Sequence, residues 1–278
     1  MGCRNGCRNA AIAPPRDRPV RRMNGSAWAA RLARNRFMPL PPADLMLCGD
    51  GDFKAIGAEF VTYFIDRAGL LPSMRVLDVG CGVGRMALPL TQYLSDLGSY
   101  AGVDIIAPAI DWCAQMITPA YSNFIFHHVD LQHPVYHPHG KQLTIGSRLP
   151  FADGAFDFIF MASVLTHLDP DEVTHYAAEA ARLLAPGGKC LVTAFLMNPP
   201  ALAALRGGTG RIAFDPALAG PVWHADSEVK LAAVAFDEDF LLERFLRVGL
   251  RRNHEADYGH WSGRPMSPFQ DICIFDGG

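Results

Sequence analysis

Short apolar runs alternate with helical stretches along the middle of this chain, and that alternation is the feature that most restricts its fold. The strand-like runs cover residues 75–79, 100–104, 124–129, 156–161 and 190–196, and helical patterns cover 59–68, 108–117 and 171–184. Alternating strands and helices favour right-handed crossovers and a parallel sheet with helices on both faces. The sequence therefore predicts a doubly wound α/β fold.

The alternation breaks after the fifth strand. A helix is predicted at 240–248 between Asp237 and Gly249, and late strands are predicted at 250–256 and 271–275. Residues 197–236 contain apolar side chains and three closely spaced glycines, and this connection is far longer than the usual 2–6 residues. We therefore predict that 197–236 is an insertion that acts as a mobile lid over a ligand site.

The first 36 residues differ in composition from the rest of the chain. They hold nine arginines and one acid, Asp17. This composition predicts a disordered tail at 1–36 and one folded domain at 37–278, although a targeting or nucleic-acid-binding arm has the same composition. The net charge of −3 gives no electrostatic reason to expect nucleic acid as a partner.

The cysteines and the hydropathy pattern indicate the compartment. The seven cysteines are odd in number and form no Cys-x-x-Cys pair, which is typical of reduced thiols. No apolar run approaches the roughly 20 residues that span a bilayer. The sequence predicts a cytoplasmic protein without a membrane span.

A glycine-rich turn follows the first predicted strand. Gly80, Gly82 and Gly84 allow a tight turn and a close approach of the backbone to a ligand, and the following helix N-terminus offers free N–H groups. A dinucleotide-binding turn would have the pattern Gly-x-Gly-x-x-Gly. Here the spacing is Gly-x-Gly-x-Gly, and Arg85 stands where the third glycine of that pattern would be. Asp78, inside the strand, can accept a hydrogen bond from an amino group of the ligand. A nicotinamide dehydrogenase remains an alternative.

Two further acids stand at predicted strand ends. Asp104 ends the second strand about twenty residues after the glycines, where a carboxylate can accept both hydroxyls of a ribose. Asp130 ends the third strand and can accept from an adenine amino group. Each of them has the alternative of being a solvated strand-end acid.

The order of these motifs resembles class I S-adenosylmethionine-dependent methyltransferases. The resemblance covers about residues 74–196 and rests on segments 76–85, 102–104, 149–151, 156–157, 163–168 and 184–188. It implies a Rossmann-like sheet of seven strands in the order 3-2-1-4-5-7-6, with the last strand, 271–275, antiparallel. Within this family, the chain is similar to a bacterial subgroup that acts on sugars and other small molecules.

The resemblance implies S-adenosylmethionine as the cofactor and a small-molecule acceptor. The cofactor-binding residues that it implies are Asp78, Gly80, Cys81, Gly82, Gly84, Arg85, Asp104, Ile105, Asp130, Leu131 and Met161. The expected reaction is O-methylation of a small polar, sugar-like or secondary-metabolite acceptor. N- or C-methylation and a catalytically silent binding protein are the alternatives.

Histidines supply the candidate general base. His167 lies just beyond the fourth strand, at the sheet edge where doubly wound folds bind ligands, and imidazole titrates near neutral pH. A structural histidine is the alternative. His260 is a weaker candidate, and Asp169 is predicted to cap the next helix together with Pro170 and Glu172.

Five histidines crowd the segment around Asp130: His127, His128, His133, His137 and His139. Mg²⁺ prefers oxygen ligands, and the spacing is not that of a structural zinc site. His127 and His128 should also point to opposite faces of their strand. The sequence therefore predicts no metal site.

Overall fold

A computed structural model describes residues 25–33, 39–46, 51–217, 220–264 and 268–278. Five strands form the parallel part of its sheet: β1 (Arg75–Val79), β2 (Ser99–Asp104), β3 (Phe124–His128), β4 (Phe156–Met161) and β5 (Leu184–Met197). They pair side by side in the order β3-β2-β1-β4-β5, and every pair is parallel. The predicted parallel sheet is confirmed.

Four further strands complete the sheet beyond β5. In chain order they are β6 (Val222–His224), β7 (Val234–Asp237), β8 (Arg251–Arg252) and β9 (Asp271–Asp276). Two of them, β6 and β9, run opposite to β5. β9 pairs antiparallel with β5, and β8 pairs antiparallel with β9. If the insertion strands β6 and β7 are left out, β8 and β9 are the sixth and seventh strands. The predicted order 3-2-1-4-5-7-6 is then confirmed. β8 is shorter than expected because Asn253, His254 and Glu255 are exposed polar residues with no apolar side to bury.

The insertion after β5 adds structure that the sequence did not predict. β7 pairs in parallel with residues 195–197 of β5, and β6 pairs antiparallel with β7. A helix, α6 (Pro199–Arg206), is capped by Asn198, whose side chain accepts from the Ala201 amide. Phe214 and Trp223 of the insertion pack in one apolar cluster with Phe195 and Trp261. The described insertion therefore shares a small hydrophobic cluster with β5 and with the loop before β9.

Helices cover both faces of the sheet. α2 (Phe53–Asp66), α3 (Ala87–Leu90) and α4 (Ala107–Met116) pack on the face that carries Val76 and Phe158. α5 (Pro170–Leu183) and α7 (Glu238–Arg247) pack on the face that carries Leu77 and Ile159. Since neighbouring residues of a strand point to opposite faces, the apolar run of β1 supplies both cores.

Helix ends follow the sequence closely where capping residues are present. Asp169 accepts from the Asp171 and Glu172 amides, and Glu172 completes a capping box, as predicted. Asp237 caps α7 through the Phe240 amide. α2 begins earlier than predicted because Asp52 caps it. α3 has only four residues, and it contains Pro89, which lacks the N–H of a helix interior.

Part of the predicted disordered tail is helical. α1 (Gly25–Ala33) packs against α2, with Leu32 buried and the Gly25 amide donating to Asp66 Oδ1 at 2.8 Å. A Cβ at Gly25 would lie 2.7 Å from Thr62 Cα, so glycine permits this close contact. The prediction of disorder is wrong for residues 25–33, and the rest of the predicted tail, residues 1–24 and 34–36, lies outside the described residues. Among the described helices, none has the length and apolarity to cross a membrane.

Candidate active site

A cavity of about 380 Å³ opens at the carboxyl ends of β1, β2 and β4. This is the edge at which doubly wound sheets bind ligands. The predicted residues that line it are Asp78, Gly80, Cys81, Gly82, Arg85, Asp104, Ile105, Leu131 and His167. Most of the residues predicted from the sequence are therefore brought together.

The glycine-rich turn forms one wall of the cavity. The Gly80 and Cys81 amides both donate to Val103 O, at 2.8 and 3.1 Å, which holds the turn against β2. Gly80 has φ of 80° and Gly82 has φ of 49°, in the left-handed region that favours glycine. A Cβ at Gly80 would lie 2.5 Å from Val164 Cγ2. The turn can keep this shape only with glycine at Gly80.

Asp104 supports the same turn from β2. Its Oδ2 accepts from the Gly82 amide at 2.7 Å, and its Oδ1 accepts from the Ile106 amide at 2.8 Å. Burial raises the pKa of Asp104, and these amide bonds oppose the rise. Each oxygen accepts from one amide and can accept a second hydrogen bond from a ligand. Asp104 therefore both shapes the turn and offers acceptors to the cavity.

Asp78 is a carboxyl group with almost no exposure to solvent. Only 2% of the residue is accessible, and its Oδ2 accepts from the Tyr100 hydroxyl at 2.6 Å. Burial raises the pKa of Asp78 to about 8, although the hydrogen bond from Tyr100 opposes the shift. The group is thus mainly protonated at neutral pH, and a cation beside it would favour its ionisation.

His167 lies in a short 3-10 helix after β4 and reaches toward the insertion. Its Nδ1 lies 3.1 Å from Leu231 O, a geometry in which Nδ1–H donates to the carbonyl. Nε2 then keeps its lone pair, and the Tyr136 hydroxyl lies 3.4 Å from it. Burial lowers the pKa of His167, so the ring is neutral at pH 7. A neutral imidazole with an available lone pair can act as a base.

His133 fixes the surroundings of that base, a role that sequence reasoning missed. Its Nε2 lies 2.8 Å from His167 O, and its Nδ1 accepts from the Val135 and Tyr136 amides, both at 3.2 Å. Both ring nitrogens thus have partners. His133 connects the segment carrying Tyr136 to the segment carrying His167, and no local pattern in the sequence signals this contact.

A second missed group joins β4, β5 and the start of β9. Ser163 has φ of 60°, and its amide donates to Thr193 Oγ1 at 2.8 Å. The Ser163 and Thr193 hydroxyls both donate to Gln270 Oε1. With the carbonyl oxygen used in this way, the amide nitrogen of Gln270 remains to donate to a ligand in the cavity that Gln270 lines. Strained backbone of this kind often occurs at ligand sites.

Asp271, next to Gln270, anchors the wall behind the cavity. Oδ1 accepts from the Gly259 amide at 2.6 Å, and Oδ2 accepts from the Leu196 amide and the Trp261 indole, both at 2.7 Å. The residue is 1% exposed. One carboxylate therefore connects β9, β5 and the loop before β9.

Four predicted site residues do not line the cavity. Met161 is fully buried in the core, and Gly84 faces Cys113, whose Sγ would lie 3.1 Å from a Cβ there. Asp130 is held by His137 Nε2 at 2.8 Å and Lys141 Nζ at 3.3 Å. His260 packs its ring against Phe269, with 5.2 Å between the ring centroids. None of the four lines the cavity, although Gly84, with φ of 74°, still belongs to the glycine-rich turn.

A comparison with protein families matches residues 77–192 to a methyltransferase domain. An arsenite methyltransferase from Aquipseudomonas alcaligenes is 34% identical over 120 residues, which are 43% of this chain and 32% of that protein. A 27-O-demethylrifamycin SV methyltransferase from Amycolatopsis mediterranei is 29% identical over 152 residues, which are 53% of this chain and 50% of that protein. The chain thus spans half or less of the length of these two relatives.

Among solved structures, a SAM-dependent methyltransferase from Methanosarcina mazei has a similar fold. The TM-score is 0.53 at 22% identity, and the match covers 77% of this chain and 96% of the other. At that identity the likeness concerns the fold. It extends beyond the region matched by the domain family and agrees with the strand order described above.

Proposed function

The chain contains a class I S-adenosylmethionine-dependent methyltransferase domain, and from this premise we propose that the protein methylates an oxygen of a small polar acceptor. The observation that carries the proposal is the setting of His167. A neutral imidazole with its Nδ1–H held by Leu231 O lines the same cavity as the glycine-rich turn. A hydroxyl acceptor needs such a base, whereas an amine is nucleophilic without one.

The residues of the cavity fit S-adenosylmethionine. The turn at Gly80 and Gly82 allows close approach of a ligand, Asp104 has acceptor capacity for ribose hydroxyls, and Asp78 is suited to an ammonium group. When bound, this cofactor supplies a methyl group made electrophilic by a positive sulfur. The carboxyl groups of Asp78 and Asp104 would hold this cofactor, Asp78 through its ammonium group and Asp104 through its ribose hydroxyls.

The protein's own contribution to the reaction is position and proton transfer. The buried walls of the cavity exclude water, and alignment of the acceptor oxygen with the methyl group is the main source of rate. His167 Nε2 accepts the acceptor's hydroxyl proton as the oxygen attacks. Leu231 O holds the His167 ring, His133 holds the His167 backbone carbonyl, and the amide of Gln270 donates to another oxygen of the acceptor.

Residues 197–236 act in this proposal as the lid over the acceptor. The contact between Leu231 O and His167 Nδ1 supports this role, because it makes the orientation of the base depend on the position of the insertion. The glycines at Gly207, Gly208 and Gly210 give the segment conformational freedom.

A cytoplasmic location agrees with the free thiols of the described cysteines.

Replacement of Asp104 by alanine tests the cofactor site. We expect Asp104→Ala to weaken S-adenosylhomocysteine binding by on the order of 10–100-fold, since lost bonds to a charged group are worth about 1.5–3 kcal/mol. Asp104→Asn keeps one acceptor oxygen, so its affinity for S-adenosylhomocysteine should lie between those of the wild type and Asp104→Ala. Calorimetry measures the affinity, with exposed Asp111→Ala on α4 as the matched control.

Two results would contradict that part of the proposal. A folded Asp104→Ala variant with unchanged affinity would remove Asp104 from the binding site. Tighter binding of NAD⁺ than of S-adenosylhomocysteine to the wild-type protein would favour the dehydrogenase instead. Turnover on a panel of hydroxylated and amine metabolites then separates an O-methyltransferase from an N-methyltransferase or a silent binding protein.

The raised pKa of Asp78 leads us to expect that cofactor binding releases a proton. With its pKa at about 8, Asp78 is mainly protonated at pH 7, and a bound ammonium group should ionise it. We expect S-adenosylmethionine binding at pH 7 to release up to about one proton, and Asp78→Asn to abolish the release. Calorimetry in two buffers of different ionisation enthalpy measures the proton count.

The same group predicts how stability depends on pH. Because the pKa is raised from 3.8 to about 8, Asp78 contributes stability at low pH that is lost as the pH rises through about 8. The ligand-free Asp78→Asn variant should lose this part of the pH dependence.

For the calorimetric experiment, equal proton release in the wild type and in Asp78→Asn would assign the proton to another group.

A further inference from the structure

The segment after β3 brings together His128, Asp130 and His137. One nitrogen or oxygen atom from each of these side chains lies within 4.8 Å of the other two. We propose that the three residues bind one divalent transition-metal ion of the Zn²⁺ type. None of the three residues lines the large cavity, and the proposal does not depend on the methyltransferase activity.

The backbone places His137 opposite Asp130. The His133 amide donates to His137 O at 3.0 Å, the His137 amide donates back to His133 O at 2.9 Å, and the Gln132 amide donates to Gln142 O at 2.7 Å. These bonds fold the chain back on itself directly after Asp130. The turn therefore supplies a ligand that is seven residues away along the sequence.

The sequence led to the expectation of no metal site because it does not reveal this turn. That expectation compared His127 with His128, and the two do point apart: the ring of His127 packs edge-on against Phe151, with 5.2 Å between the centroids. His128 instead lies on the side of His137, with 6.0 Å between the centroids. The partner of His128 is thus not its neighbour but a residue of the loop.

The distances are close to those of a metal site. Nε2 of His137 lies 2.8 Å from Asp130 Oδ1. Ligand atoms about 2.1 Å from Zn²⁺ in a tetrahedron are roughly 3.4 Å apart. The His137 and Asp130 atoms are thus already close enough to share one ion, and the His128 atom, within 4.8 Å of both, would complete the site by a side-chain rotation, with water as the fourth ligand.

The ligand types select the class of ion. Two imidazoles and one carboxylate suit Zn²⁺, Co²⁺ or Ni²⁺, whereas Mg²⁺ and Ca²⁺ prefer oxygen ligands. Lys141 Nζ lies 3.3 Å from Asp130 Oδ2 and competes with the ion, but its side chain is 85% exposed. An exposed ion pair of this kind contributes little, so the ion can displace it.

Binding would stiffen one wall of the cavity. The turn between Asp130 and His137 also carries Leu131, His133 and Tyr136, all of which line the cavity. A metal ion would connect this turn to the end of β3 by direct bonds. The predicted role is structural: the ion holds the turn that positions the His133 and Tyr136 side chains.

The test uses the full-length, tag-free protein with Zn²⁺ and Co²⁺ as probes. We expect one ion to bind and to raise the melting temperature, and His137→Asn and Asp130→Asn each to weaken binding by on the order of 10–100-fold. His139→Asn, a neighbouring histidine outside the cluster, should bind as the wild type does. The Co²⁺ spectrum should show nitrogen and oxygen ligation without a sulfur-to-cobalt charge-transfer band.

Three results would overturn the proposal. One is equal affinity in wild type, His137→Asn and Asp130→Asn, with S-adenosylhomocysteine binding and circular dichroism confirming that the variants are folded. Another is a thiolate spectrum, which would assign the ion to cysteines of the chain. The third is the lack of any saturable binding by the wild type.

Discussion

We expect His167→Ala to lower kcat by about 10²–10⁴-fold while leaving the affinity for S-adenosylhomocysteine nearly unchanged. Because Nδ1 is bonded to Leu231 O, the free lone pair of the ring is on Nε2, and alanine removes the only part of the His167 side chain that can accept a proton. Release of S-adenosylhomocysteine with an acceptor found in the metabolite panel measures kcat. His254→Ala, at an exposed histidine, is the control.

The pH profile of the wild type gives an independent check. Burial lowers the pKa of His167 below 6.5, so kcat should rise with pH through a midpoint below that value and then level off. In His167→Ala this acidic limb should disappear. Near-normal kcat in the variant from pH 6 to 9 would show that His167 is structural and that the acceptor needs no base at this position.

The second large effect concerns stability. We expect Asp271→Ala to lower the free energy of unfolding by about 3–5 kcal/mol, because the Gly259 amide, the Leu196 amide and the Trp261 indole lose their buried acceptor together. Burial raises the pKa of Asp271 to about 6, so the measurement belongs at pH 7.5, where the carboxylate is ionised. Urea unfolding followed by fluorescence measures the loss.

Two companion variants make the stability result specific. Asp271→Asn keeps one acceptor oxygen and should lose less than alanine does. Asp96→Ala removes an exposed acid and should change the free energy of unfolding by less than about 0.5 kcal/mol. A loss in Asp271→Ala no greater than that of Asp96→Ala would mean that the three donors find other acceptors.

Local patterns in the sequence were sufficient for the central fold. The apolar run of β1, the turn at Gly80 and the caps at Asp169 and Asp237 are each set within a few residues, and all of them are present. Asp104 lines the cavity as expected because a strand end fixes where its side chain begins. These features depend on backbone geometry that short segments determine.

Contacts between segments that are distant in the chain could not be predicted from the sequence. Gln270 meets Ser163 across 107 residues, and His167 meets Leu231 across 64. Asp130 was expected to face a ligand, but the turn that follows brings His137 to its carboxylate instead. No periodicity reports such pairings, because they depend on how loops fold back onto the sheet.

The strand β5 extends beyond the parallel sheet, and this has a consequence for how such proteins diverge. Met197 at its end is the register partner of Asp237 in β7, so the insertion leaves and re-enters the domain at adjacent positions on paired strands. Replacing the stretch between them with one of another length changes the closure entropy only slowly, by about 0.6 kcal/mol per doubling. The stretch between β5 and β7 can therefore change in length at little cost, while the glycine-rich turn, Asp78 and Asp104 stay in place; under the proposed function, such an exchange would alter the acceptor site.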